Sequence, residues 1–137
     1  MSQENVELAR RVLEMNRSDN VEAALALAPE LMHPEGEMIS VVAAVEPKVY
    51  RGYDGLRRYV RDLAESFDEW RNEVEEIYEV GPDTVFATIR TRIVGKGSGV
   101  PVEARLSFVC VVSEGKVLRA CTYSSREEAL EAAGLSE

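Results

Sequence analysis

Apolar residues recur at helical spacing at the start of this 137-residue chain: Val6, Ala9, Val12 and Leu13 form one stripe, with Glu7, Arg10, Glu14 and Arg17 largely outside it. That pattern predicts a first helix from about Gln3 to Arg17. Ser-Asp-Asn breaks it, and Asp19-x-x-Glu22 has the form of a capping box opening a short second helix, which carries Ala24, Leu25 and Ala28 and stops near Pro29. A short strand over Glu37–Val45 is interrupted by Glu46-Pro47, and Val49-Tyr50-Arg51-Gly52 is a brief extended stretch ending in a turn. Asp54 then caps a third helix whose inner face is Leu56, Tyr59, Val60, Leu63 and Phe67.

From Trp70 the period shortens to two. Trp70–Val80, Asp83–Val94, Pro101–Val112 and Lys116–Tyr123 are four strands rich in Val, Ile, Thr and aromatic residues. Their joints are turn sequences, Gly81-Pro82-Asp83, the loop Gly95–Val100, and Ser113-Glu114-Gly115, so the last strands form an antiparallel meander. Ser125-x-x-Glu128 caps a final helix with Ala129, Leu130 and Ala133 on its apolar face, and Gly134 is placed to end it. Neither a repeat nor a linker composition interrupts the pattern. The expectation is one α+β domain over 1–137, with helices packed on a curved, mainly antiparallel sheet.

Composition narrows the partners. Sixteen basic residues against twenty-five acidic give a net charge of −9, a field that repels phosphate backbones and anionic lipid and so points away from nucleic acid and membrane. No apolar run approaches the ~20 residues of a bilayer span, and the polar start MSQENVELARR is unlike a signal or transit peptide, so a cytoplasmic protein is expected. Cys110 and Cys121 lie in apolar strand runs without a CxxC and are read as buried free thiols.

The order of elements, with four local motifs, resembles the SnoaL-like family of the nuclear transport factor 2-like superfamily, whose fold is a cone-shaped α+β barrel. The motifs are Leu31-Met32-His33-Pro34-Glu35-Gly36-Glu37, Tyr50-Arg51-Gly52-Tyr53-Asp54-Gly55-Leu56-Arg57-Arg58-Tyr59, the hairpin Ser113-Glu114-Gly115-Lys116-Val117, and the tail Ser125-Arg126-Glu127-Glu128-Ala129-Leu130-Glu131-Ala132-Ala133-Gly134-Leu135. The resemblance covers nearly the whole chain. It implies a fold that hosts isomerases, cyclases, hydrolases and dehydratases as well as proteins without catalysis.

Proton transfer beside a carbonyl needs a carboxylate base in a dry pocket and a donor for the developing oxyanion. The resemblance to ketosteroid isomerases puts their oxyanion tyrosine near Arg11, their catalytic aspartate near Met38 or Ile39, and their protonated aspartate near Ser107. None of those residue types is kept. The polyketide cyclases imply an aspartate facing the cavity from the sheet, but Asp19, Asp54, Asp62, Asp68 and Asp83 all fall on caps, a helix surface or turns. Among strand carboxylates, Glu37 and Glu103 remain as candidate acid or base.

His33 stands alone before Pro34 and is read as structural, and no ligand set implies a metal or cofactor. Arg90 and Arg92 share a strand face with Phe86 and Thr88, and Arg105 is in line with Ser107. On a cavity wall, an arginine there holds a carboxylate or enolate; on the other wall, it pairs with Glu75 or Glu103. Tyr59, Leu63, Trp70, Arg90, Arg105, Ser107 and Tyr123 are therefore the candidate pocket residues.

The leading expectation is a binder of a hydrophobic or weakly acidic small molecule in an apolar cavity. One alternative is a cofactor-free lyase, isomerase or cyclase acting on a hydrophobic carbonyl compound; another is an interaction module whose cone is filled by its own side chains. Apolar residues on both faces of the strands in Asp83–Val112 predict a homodimer through the outer face of the sheet.

Overall fold

The computed structural model describes residues 2–15, 17, 19, 21–40 and 48–134. Ten elements follow in order: α1 (Ser2–Met15), α2 (Val21–Leu31), β1 (Met32–Ser40), β2 (Lys48–Arg51), α3 (Gly52–Ser66), β3 (Phe67–Glu79), β4 (Thr84–Gly95), β5 (Pro101–Ser113), β6 (Lys116–Tyr123) and α4 (Arg126–Ala132). The strands make one sheet in the order β2-β1-β6-β5-β4-β3. As the turn sequences require, β3 to β6 form a meander of antiparallel neighbours. β1 runs parallel to β6, the one parallel pair among the described residues, in an otherwise antiparallel sheet.

Alternation along the strands sorts side chains onto two faces. On the inner face Val85, Ala87 and Ile89 of β4 and Leu106, Phe108 and Cys110 of β5 join Ala9, Val12 and Leu13 of α1, Ala24 and Ala28 of α2, and Leu56, Val60 and Leu63 of α3 in a single buried cluster. A polar clamp ties the last turn of α1 to this face: Asn72 Nδ2 donates to the Leu13 carbonyl (3.1 Å), and Thr91 Oγ1 donates to Asn72 Oδ1 (2.8 Å). It satisfies one of the carbonyls a helix end leaves open.

The outer face is not bare. α4 lays Ala129 and Leu130 on Phe86 and Val109, and these four form a second, smaller core. Ser125 caps α4 as its sequence predicts, its Oγ accepting from Glu128 N (3.3 Å), and Gly134 follows with φ +86°. The apolar row that motivates a homodimer in the sequence is thus largely dry already within one chain.

Four boundaries differ from the sequence reading. The carboxylate of Asp19, expected as a cap, is bound by Arg17 through Nε and Nη2, both at 3.0 Å, and α2 begins two positions later. α2 also runs past Pro29, which sits in its last turn, and β1 begins at Met32, ahead of the expected Glu37. The far end of that predicted strand, with Glu46-Pro47, lies outside the described residues. α3 starts at Gly52 with Arg51 as N-cap, so Asp54 falls in the first turn, ion-paired to Arg57, where its charge suits the helix dipole. Phe67 has left that helix and opens β3.

Among the described residues no helix is long and apolar enough to cross a membrane.

Candidate functional site

The short edge strand β2 and α3 build a polar corner against the inner face. Tyr50 pairs in register with the buried Met38, so its ring points inward. Gly52, at φ +65°, turns the chain from strand to helix with no intervening loop. One turn later Gly55 packs so closely on β2 that a Cβ there would lie 2.6 Å from the Tyr50 carbonyl carbon. That approach carries Tyr59 and Asp62 of α3 over Tyr50. The two tyrosine rings meet edge to face at 5.3 Å, and Tyr50 Oη donates to Asp62 Oδ2 at 2.7 Å. Lys48 Nζ reaches the same oxygen at 3.4 Å. Asp62 is 42% exposed, whereas Tyr50 and Tyr59 are buried, so the pair stands where an aromatic floor meets solvent.

The seven candidate pocket residues do not share a wall. Tyr59, Leu63 and Trp70 are buried on the inner face, Trp70 with its ring 4.9 Å from that of Phe67. Arg90, Arg105, Ser107 and Tyr123 are on the outer face, the two arginines in the row of Glu73, and Ser107 and Tyr123 in the row of Thr88. Glu37 and Glu103 are outside as well. Glu37 accepts from Arg51 Nε at 2.7 Å, and Glu103 lies exposed beside Arg71, Arg90 and Arg92. His33 Nδ1 accepts from the Glu35 backbone and its Nε2 meets Glu114 at 3.2 Å. Among the described residues, no three of His, Cys, Asp and Glu are grouped as a metal site.

Asp62 and Tyr50 make a polar pair at the inner side that is absent from the candidate site residues of the sequence. The signal was present: Asp62 follows Tyr59 by three and precedes Leu63, which puts it on the flank of the buried helical stripe.

The outer face has its own concavity, of about 440 Å³, beside α4. It depends on a bulge in β3. Register passes from Val74↔Ile89 to Glu76↔Thr88, leaving Glu75 as the extra residue, so Glu75 and Glu76 both serve the outer side. Glu75 accepts from Arg105 (Nε 2.9 Å, Nη2 3.4 Å) and from Arg90 Nη2 (2.6 Å). Those guanidiniums, Arg105 foremost, hold its carboxyl below the ordinary range. Arg105 therefore pairs with Glu75 and not with Glu103, its neighbour on the strand.

Burial also displaces several inner groups. It raises the Tyr59 hydroxyl far above its ordinary value, pushes the Cys110 thiol up to about 12, and raises Tyr50, where the adjacent Asp62 adds to the effect. Cys110 and Cys121 are buried on opposite faces of neighbouring strands and are free thiols. These groups are neutral when protonated, so the unfolded chain releases its protons at lower pH than the folded one. Their contribution is complete below the ordinary values and is lost progressively as pH rises from there through the raised values of the folded chain. The urea midpoint should therefore be level near neutrality and fall once pH passes the ordinary thiol value of 9.0. In Cys110→Ala the fall above 9.0 should be shallower, since of the two thiols only Cys121, also raised by burial, then contributes there. An alkaline limb identical in the two proteins would remove Cys110 from this account.

The sequence profile of the SnoaL-like domain family matches residues 9–120. No curated protein sequence matches the chain. Among solved structures, a protein assigned as a SnoaL-like polyketide cyclase of Jannaschia sp. CCS1 superposes with a TM-score of 0.73 at 18% identity, over 96% of this chain and 92% of that one. TerC, co-crystallized with polyporic acid, gives 0.70 at 16% identity, over 95% and 97%. A LEH-like epoxide hydrolase of M. tuberculosis gives 0.69 at 10% identity, over 96% and 90%. At these identities the likeness is one of fold, the nuclear transport factor 2-like cone.

Proposed function

Because this chain belongs to the SnoaL-like domain family, we propose that it binds a small, largely apolar molecule on the inner side of its sheet and takes up a polar group of that molecule at the Tyr50–Asp62 corner. The carrying observation is the 2.7 Å hydrogen bond between Tyr50 Oη and Asp62 Oδ2 at the margin of a buried aromatic floor. Small-molecule sites combine an apolar lining with a few placed polar groups. Here Asp62 Oδ1 is positioned to accept from a ligand hydroxyl, and Lys48 to donate to a carbonyl or a weakly acidic group. Tyr50, kept protonated by burial and by the neighbouring carboxylate, fixes the orientation of Asp62. Proteins of the same fold include one crystallized with polyporic acid and one that is an epoxide hydrolase, which supports an organic small molecule as ligand. The reading is one of binding: Glu37 and Glu103, the strand carboxylates considered for proton transfer, lie on the opposite face.

Calorimetric titration with β-naphthol, and with its methyl ether as the analogue unable to donate, tests it. β-Naphthol is expected to bind saturably, and Asp62→Asn or Tyr50→Phe to weaken it about tenfold while leaving the ether unchanged. Equal affinity in wild type and Asp62→Asn would take the corner out of the site.

A further inference from the structure

The outer concavity beside α4 has the make-up of a second binding site. Its floor is the cross-strand row Glu76–Thr88–Ser107. One flanking row, Glu73–Arg90–Arg105, brings the Arg105 guanidinium to one side, locked by Glu75. The row on the other side, Tyr78–Phe86–Val109, is crossed by Arg126 from α4. That guanidinium is fixed by three contacts: Nη1 donates to Thr88 Oγ1 at 2.9 Å, Nη2 stands 3.6 Å from Glu76 Oε1, and its centre lies 5.2 Å from the Phe86 ring. Two guanidiniums thus stand on either side of a hydroxyl-lined floor, each with its own partners.

The floor itself is unexpected on packing grounds. Thr88 and Ser107 are at most 9% exposed, yet their row neighbours to one side are Phe86 and Val109, the residues α4 packs against. A valine at either position would extend that small core, whereas a buried hydroxyl adds nothing to it. The bulge at Glu75 is the second departure. It breaks the ladder of an edge strand, and its effect is to bring Glu76 round to the outer face. Both departures supply polar groups to the same hollow.

We propose that this hollow binds a small zwitterion of the amino-acid type. The lining charges are Arg105 and Arg126 against Glu75 and Glu76, so the site is neutral overall and gives a simple anion or cation no net attraction. The bonds described leave Nη1 of Arg105 and Nε of Arg126 for a carboxylate, and Oε2 of Glu76 for an ammonium. Ser107 and Ser124 complete the polar lining, and about 440 Å³ accommodates a molecule of that size. The site lies across the sheet from the Tyr50–Asp62 corner and does not rest on it.

Three probes separate the possibilities: L-serine carries both charges, L-lactate only the carboxylate, and ethanolamine only the ammonium. Each is titrated into the ¹⁵N-labelled full chain while the backbone amides of Thr88, Ser107 and Ser124 are followed. L-Serine is expected to give saturable shifts there, with lactate and ethanolamine weaker by about tenfold or more. Arg126→Gln should weaken L-serine by a similar factor without moving amides of the inner core. If Arg126→Gln does not fold, Ser107→Val, which fills the floor, should abolish the shifts instead. Lactate binding as well as L-serine would replace the zwitterion site with a plain anion site. No saturation by any probe up to about 50 mM would leave only a closed salt-bridge cluster and overturn the proposal.

Discussion

Phe108→Ala should lower the unfolding free energy by about 3–5 kcal/mol, the range for deleting a fully buried aromatic ring. Phe108 is 0% exposed and stands in the middle of the sheet, paired with Ala87 on one side and Thr122 on the other. Its side chain belongs to the large inner core, so its removal leaves a void in a cluster whose strands are held by hydrogen-bonded neighbours. Such walls relax little, which places the cost high in the range. Domains of this size are stable by only about 5–15 kcal/mol, so the variant should approach the unfolding threshold at physiological temperature. Urea denaturation with unchanged slope measures it, and Val102→Ala, at 55% exposure, serves as the comparison that should change little. A loss for Phe108→Ala no larger than that of Val102→Ala would mean that the central strands do not face the helices as described.

Gly55→Ala should be the second most damaging change, although it adds a single methyl to a helix. The new Cβ would fall 2.6 Å from the Tyr50 carbonyl carbon and 3.1 Å from its Cα. Those are backbone atoms of a hydrogen-bonded strand and cannot swing aside, so α3 must lift away from β2. Overpacking of this kind costs about 1–3 kcal/mol, despite the better helix propensity of alanine. The displacement acts directly on the Tyr50–Asp62 bond. An alkaline absorbance titration should therefore show Tyr50, identified by comparison with Tyr50→Phe, returning toward its ordinary value as it loses burial and the adjacent charge. A variant as stable as wild type, with Tyr50 titrating unchanged, would contradict the close approach of α3 to β2.

Much of this architecture is legible in the residues, because turn residues and alternation are local signals. Gly81-Pro82-Asp83 and Ser113-Glu114-Gly115 bound β3 to β6 within a residue or two at most ends, and Ser125 caps α4 as its motif requires. Local signals also explain the misses. Gly52 reads as a turn, and nothing in its neighbours says that a strand ends there and a helix starts at once, so Asp54 is the more obvious cap. The doublet Glu75-Glu76 is the trace of the bulge, but two glutamates on an edge strand look the same when both are merely solvated. Alternation shows that Arg90 shares a face with Phe86 and Thr88, yet it does not say which face the three larger helices cover. Both faces of β4 and β5 are apolar because α4 returns to cover the second, a long-range fact. That is why the candidate residues divide between two walls, and why Asp62, on a helix, does not stand out beside the strand carboxylates.

The parallel pairing of β1 with β6 joins Met38 to Ala120, residues far apart along the chain. As the polypeptide leaves the ribosome, β1 is made early and its partner is the last strand to emerge. During that interval β3, β4 and β5 can pair by closing short loops, whereas β1 must await a closure across most of the chain. β2 hangs on β1, and Tyr50 hangs on β2. The corner to which a ligand is assigned is encoded in the first half of the protein but has no sheet behind it until the second half is complete.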